Sequence, residues 1–204
     1  LDCANLSTRE INQQIKALAF RAIQRELPQD GIPSIKLLNP SGRHNLAVGV
    51  EQPINISFAG TVGYYCGGLC DKVNIEVFGA WGWSVGENLM SGKIVVHGNA
   101  SANAAASAQG GKICIFGNTG PRAGISLKGG TLIVTGNVGY GSAFMMQQGC
   151  IIICGNAGEN LADSIYDGTI YVGGTIGSLG ADAKIEANMN GAKHEAAGTD
   201  VEAT

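Results

Sequence analysis

Between residues 55 and 173, apolar and polar positions alternate in short bursts that return with a period of nineteen. The bursts are Asn55-Ile56-Ser57-Phe58-Ala59, Asn74-Ile75-Glu76-Val77-Phe78, Lys93-Ile94-Val95-Val96-His97 and Lys112-Ile113-Cys114-Ile115-Phe116. Thr131-Leu132-Ile133-Val134-Thr135, Cys150-Ile151-Ile152-Ile153-Cys154 and Thr169-Ile170-Tyr171-Val172-Gly173 complete the set. Period-two alternation rich in β-branched residues is the pattern of a half-buried strand. One alternate column runs Ile56/Phe58, Ile75/Val77, Ile94/Val96, Ile113/Ile115, Leu132/Val134, Ile151/Ile153 and Ile170/Val172. All fourteen positions are large and apolar, which predicts that this column faces inward.

Each burst runs into a glycine: Gly60, Gly79, Gly98, Gly117, Gly136, Gly155 and Gly174, with the same period and no slip. They are read as turn residues of a coil and not as a phosphate loop. Small residues recur three places on (Gly63, Gly82, Ser101, Gly120, Gly139, Gly158, Gly177) and seven places on (Gly67, Gly86, Ala105, Gly124, Ala143, Ala162, Ala181). Three small positions per repeat allow tight turns and close approach of neighbouring backbones. Asn99, Asn118, Asn137 and Asn156 directly follow their glycines. Asparagine tolerates the left-handed conformation and can bond copies of itself in adjacent repeats.

A single strand per repeat cannot bury its own face, but stacked repeats can. The expected fold is all-β: a right-handed single-stranded parallel β-helix of about seven 19-residue coils, with an amphipathic helix at its N-terminal side. An 18-residue left-handed coil of hexapeptides is the rival, and unequal gaps between small positions fit it poorly. Strands about 4.8 Å apart give six steps a length of about 29 Å. The expected divisions are 1–53 for the helix and lead-in, 54–186 for the β-helix and 187–204 for a polar tail.

Ser7-Thr8-Arg9-Glu10 has the form of a capping box. Ile11, Ile15, Leu18, Ala19, Ala22 and Ile23 follow at helical spacing, predicting a helix over 8–27 that stops before Pro28. Its apolar stripe covers the open end or one face of the solenoid, or docks on another subunit. On the strands, Val95, Cys114, Ile133, Ile152 and Tyr171 point outward by alternation although they are apolar, so that stripe needs a cover. The helix or a partner protein could supply it. Beyond Ala187 the chain is small and polar and reads as a mobile tail or an arm that orders on a partner.

Composition narrows the function classes. The 204 residues include 32 glycines and carry net charge −3, too little basic charge to suggest nucleic acid. No apolar run approaches the ~20 residues of a membrane span, and no secretory signal is read at the start. Cys3, Cys66, Cys70, Cys114, Cys150 and Cys154 match no zinc or iron–sulfur spacing. A Cys66–Cys70 disulfide is possible but unforced, and reduced thiols suit the cytoplasm. The acids Asp71, Glu76, Glu87, Glu159, Asp163, Asp167 and Asp182 are scattered, without the converging carboxylates of a glycan-cleaving site. Asp163 and Asp167 read as solvated turn residues. His97 falls in register with Phe78 and Phe116 and reads as a packed ring; His44 shows no partner, and His194 lies in the tail. Arg122 stands among glycines, placed to bond a neighbouring coil or a partner's carboxylate. No nucleophile comes with a base and an orienting group, so the residues assign no catalytic, cofactor-binding or metal site.

Over residues 54–180 the glycine pattern resembles the GXGXG domain. That family includes the C-terminal β-helix of the glutamate synthase large subunit, stand-alone versions of it, and one of the subunits of formylmethanofuran dehydrogenase. Arg9-Glu10-Ile11-Asn12, Ala143-Phe144-Met145-Met146-Gln147, Cys154-Gly155-Asn156-Ala157-Gly158, Asp163-Ser164-Ile165-Tyr166 and Ser178-Leu179-Gly180-Ala181-Asp182 look like the stand-alone branch. The resemblance implies a structural subunit wedged between an amidotransferase-like subunit and an FMN-binding glutamate-synthase-like subunit. FMN and an iron–sulfur cluster would then belong to a partner. No catalytic residue carries over to this chain.

Overall fold

A computed structural model describes residues 1–24 and 31–185, with three further strands between 187 and 203 described by their backbone pairing. The bursts form β2 (Ile54–Ala59), β3 (Val73–Val77), β4 (Gly92–Val96), β5 (Lys112–Ile115), β6 (Thr131–Val134), β7 (Cys150–Ile153) and β8 (Thr169–Val172). Every neighbour pairs in parallel, and from β2 to β8 every register step is one full repeat, for example Ile56↔Ile75↔Ile94↔Ile113↔Leu132↔Ile151↔Ile170. All fourteen residues of the inward column are at most 2% exposed. The chain is a parallel β-solenoid.

The expected count of about seven coils holds, and the ladder that encloses them has eight strands, one more than the repeat marks. β1 (Ser34–Leu38) pairs in parallel with β2, Ile35 opposite Ile56, so its step is longer by two than the repeat that follows. Eight strands at about 4.8 Å per step make a ladder of about 34 Å.

A second column lines the next side of each coil. Val62↔Trp81↔Ala100↔Thr119 and Val138↔Ala157↔Ile176 form single parallel bridges two residues past the glycines, and all but Ile176 are buried. The third side is a corner of left-handed residues. Five, seven and nine places past Gly98 lie Asn103, Ala105 and Ser107, with φ of 61°, 59° and 52°. Arg122, Gly124 and Ser126 repeat the triplet one coil on.

The marker glycines have a different task from the one expected. From Gly79 onward none has positive φ. A Cβ at Gly98, Gly117, Gly136 or Gly155 would instead stand 2.7 Å from the carbonyl oxygen of the preceding marker glycine. They are close-approach residues, and the turns are made at the left-handed corner. The asparagines also depart from expectation in one respect. Each bonds the next, with Asn118, Asn137 and Asn156 N–H donating to the Oδ1 of the asparagine below at 2.7–2.8 Å, but none of them is left-handed. The ladder ends where Thr175 N–H donates to Asn156 Oδ1 at 2.8 Å.

Helix α1 spans Thr8–Ile23. Ser7 caps it: its Oγ accepts from Glu10 N–H, while Ser7 N–H donates to Glu10 Oε2 at 2.8 Å. Gln24 is the C-cap, and residues 25–27 of the expected span fall outside the described residues. Ile11, Ile15 and Ala19 are fully buried against the first coil in a cluster with Leu46, Ala47, Val50 and Ile54. Asn12 fixes the docking, donating from Nδ2 to Asn45 O at 2.8 Å and accepting at Oδ1 from Ala47 N–H at 2.7 Å. The helix therefore covers the open end of the solenoid and shields a core that water would otherwise reach.

The polar tail is not simply an extension away from the rod. Among its described residues, β9 (Ala187–Asn188), β10 (Lys193–Ala196) and β11 (Thr199–Ala203) are strands. β11 pairs in parallel with β8, Val201 opposite Ile170, so the tail's own backbone occupies the unpaired edge of the last rung.

Candidate docking surfaces

The outer face of β1–β8 is a lattice of three rows. The middle row reads Lys36, Ser57, Glu76, Val95, Cys114, Ile133, Ile152, Tyr171 in successive strands. From Val95 onward it is apolar and half-buried. Because α1 sits on the end coil, it does not cover this stripe. The stripe is flanked by Lys93 and Lys112, exposed and directly opposite one another on β4 and β5. Neither is ion-paired among the described residues.

Toward β1 the same face turns polar. Lys36, Asn55, Ser57, Asn74, Glu76 and Lys93 line an open groove of about 630 Å³. Asn74 Nδ2 donates to Asn55 Oδ1 at 2.9 Å across the strands. On the third row the His97 ring stacks between Phe78, centroids 4.8 Å apart, and Phe116, at 5.5 Å. His97 Nε2 lies 2.8 Å from Glu76 Oε1. The ring is packed as expected, but on the surface: Phe78 and Phe116 are each 52% exposed.

The remaining candidates spread around the rod. His44, for which the sequence shows no partner, has one: its Nδ1 accepts from Tyr64 N–H at 2.9 Å. His194 falls on β10. Asp71 accepts from Ser91 Oγ at 2.5 Å, a bond that holds its carboxyl below the usual range, and Lys72 lies 3.4 Å away. Asp167 is exposed and accepts from Gly168 N–H, whereas Asp163 is half-buried beside Arg122 in a hollow of about 170 Å³ that also includes Tyr140, Gly141, Phe144 and Asn160. Sequence reasoning missed that hollow. Its signal is Gly141, which interrupts a column otherwise holding Arg122 above and Asn160 below.

None of the six cysteines forms a disulfide. Cys66 and Cys70 are fully buried, and Cys70 Sγ donates to Ala47 O at 3.0 Å. Burial pushes the Cys66 thiol well up and the Cys70 thiol up to about 11, so neither is a nucleophile near neutral pH. Among the described residues no group of three or more His, Cys, Asp or Glu side chains is placed to hold a metal ion. No described helix is long and apolar enough to cross a membrane. The arrangement offers surfaces for docking.

No family model matches the chain. Over 44 residues it is 46% identical to Protein GlxC of Rhizobium meliloti (strain 1021), a stretch covering 22% of this chain and 19% of GlxC. A match of 44 residues is little more than two 19-residue coils. What the chain shares with GlxC is thus a short segment, about a fifth of that protein's length.

Proposed function

We propose that this chain is a non-catalytic scaffold subunit of a glutamate-synthase-like flavoenzyme, holding an amidotransferase-like subunit and an FMN-binding subunit in place. The specific complex we infer is N-methylglutamate synthase, which converts L-glutamate and methylamine to N-methyl-L-glutamate and ammonia. The observation that carries this reading is the half-buried apolar row from Val95 to Ile152, which lies on the parallel sheet and is not covered by α1. Side chains that could face water with polar groups are instead valine, cysteine and isoleucine, and such a patch marks an interaction site. The GXGXG resemblance supplies the kind of assembly, and the short likeness to GlxC loosely fits a glutamate-synthase-like relationship.

In this reading the flavin and the iron–sulfur cluster sit in the partner, and this chain contributes geometry. The tagged chain, purified from its source, is expected to bring companions that carry a flavin spectrum. A molybdopterin chromophore in its place points to the formylmethanofuran dehydrogenase type of complex. A soluble monomer without companions refutes the scaffold reading.

A further inference from the structure

The strand face is not the only surface that leaves large side chains in water. Tyr64 and Trp83 occupy equivalent places in consecutive coils, four residues past Gly60 and Gly79, and are 43% and 59% exposed. The Tyr64 ring contacts His44 and Tyr65, while Trp83 makes no ring contact among the described residues. The two rings therefore stand apart, and a hollow of about 540 Å³ opens among them, His44, Ser84, Glu87 and Asn103. Glu87 has no ion pair among the described residues. A carboxylate beside two exposed aromatic rings suits a guanidinium or ammonium group.

Three rungs along, about 14 Å away at the strand spacing, the same flank carries Tyr140, 53% exposed, at the rim of the Arg122–Asp163 hollow. The places four to eight past the marker glycines, which form this flank, hold the acids Glu87, Glu159, Asp163 and Asp182 and the base Arg122. The strand face has the opposite balance. Across β1–β8 it carries Lys36, Lys93 and Lys112, and the acid there, Glu76, is already bonded to His97.

We propose that this flank is a second docking surface, separate from the strand face, and that it takes a basic protein partner whose arginine or lysine side chain enters between Tyr64 and Trp83 toward Glu87. The inference rests on the scaffold reading and adds which face takes which partner: the acidic flank a basic subunit, the lysine-edged strand face an acidic one. Exposed tryptophan and tyrosine around a pocket are the composition of an interface hot spot. A second copy of this chain is the poorer occupant. Its basic strand face on this acidic flank would be a head-to-tail contact, which repeats into filaments unless its rotation happens to close a ring.

The test uses the chain purified with its companions, comparing wild type with Trp83→Ala/Glu87→Lys and with Lys93→Glu/Lys112→Glu. All four positions are on the surface, and unchanged melting confirms that each variant folds. The flank variant is expected to lose one companion, with at least about tenfold weaker retention, and to keep the other; the lysine variant does the converse. Hydroxyl-radical oxidation of Trp83, read by mass spectrometry, is expected to fall severalfold in the wild-type complex relative to the isolated chain. The inference is overturned if the flank variant keeps every companion at wild-type stoichiometry, if it loses all of them together, or if Trp83 is oxidised equally in both states. Wild type that arrives without companions defeats the scaffold reading before any variant is made.

Discussion

Replacing Gly136 by alanine tests how the rungs are spaced. The added Cβ would stand 2.4 Å from Asn118 Oδ1 and 2.7 Å from Gly117 O, where ordinary contact begins near 3.4 Å. Asn118 can rotate away, at the expense of the bond it accepts from Asn137 N–H. The backbone carbonyl cannot, so the rungs must part locally by about 0.7 Å. That movement stretches the bond that Gly136 N–H donates to Gly117 O at 2.9 Å. Gly136 is not left-handed, so no dihedral penalty confuses the result. Overpacking of this kind costs about 1–3 kcal/mol, which in a chain of this size lowers the melting temperature by about 2–12 °C. The comparison is Gly177→Ala, whose Cβ would meet nothing nearer than 3.1 Å and should cost less. Both are measured by thermal and denaturant unfolding. If Gly136→Ala melts with wild type, or no lower than Gly177→Ala, the close-approach argument is wrong.

Ile113→Ala removes a buried side chain from the inner column and should cost about 2–5 kcal/mol in denaturant unfolding, whereas Ile133→Ala on the outer face should cost under about 1 kcal/mol. Thr119 Oγ1 is buried without a hydrogen-bond partner among the described residues, so Thr119→Val should raise stability by roughly 1 kcal/mol; a loss of that size would mean that the hydroxyl is satisfied. Alkylation followed by mass spectrometry should modify exposed Cys154 first and reach Cys66 and Cys70 only on unfolding, since the Cys70 thiolate becomes abundant only as pH approaches about 11. The Ser91 bond holds the Asp71 carboxyl below its ordinary 3.8, so the stability it contributes is present above that value and is lost as pH falls through the lower, folded value. Ser91→Ala should accordingly flatten the acid end of the stability–pH curve, and an unchanged curve would contradict that assignment.

The inner column was readable because strand alternation and a strict repeat act on the same residues. Ile56 through Val172 needed only the two periods, of two and of nineteen, to be placed. β1 escaped because its step to β2 is longer than the repeat and no marker glycine follows Leu38. The bridge column escaped because Trp81, Ala100 and Thr119 differ so much in size that no common type marks the position. Coils absorb that variation by pairing large with small: a Cβ on Gly67 would come within 3.4 Å of the Trp81 ring. The left-handed corner is marked only at its middle place, the small residues seven past each glycine; the place two before it is silent, since Asn103, Arg122 and Gly141 hold it in successive coils. At that silent place the backbone is set by bonds between rungs, such as Asn103 N–H to Pro121 O and Arg122 N–H to Tyr140 O, and side-chain type varies. The outer apolar stripe was legible for the same reason as the core, because alternation fixes both faces together. The hollows at Trp83 and Arg122 were not, because they arise where side chains of adjacent coils fail to fill a shared edge.

The most direct test of the scaffold account is the composition of the particle formed by Ile133→Lys. A lysine there puts a charge in the middle of the apolar row without touching the core. The account predicts a variant that melts like wild type yet purifies without a companion that wild type retains. An Ile133→Lys chain that still carries every companion in wild-type proportion would show that the row is not where partners are held.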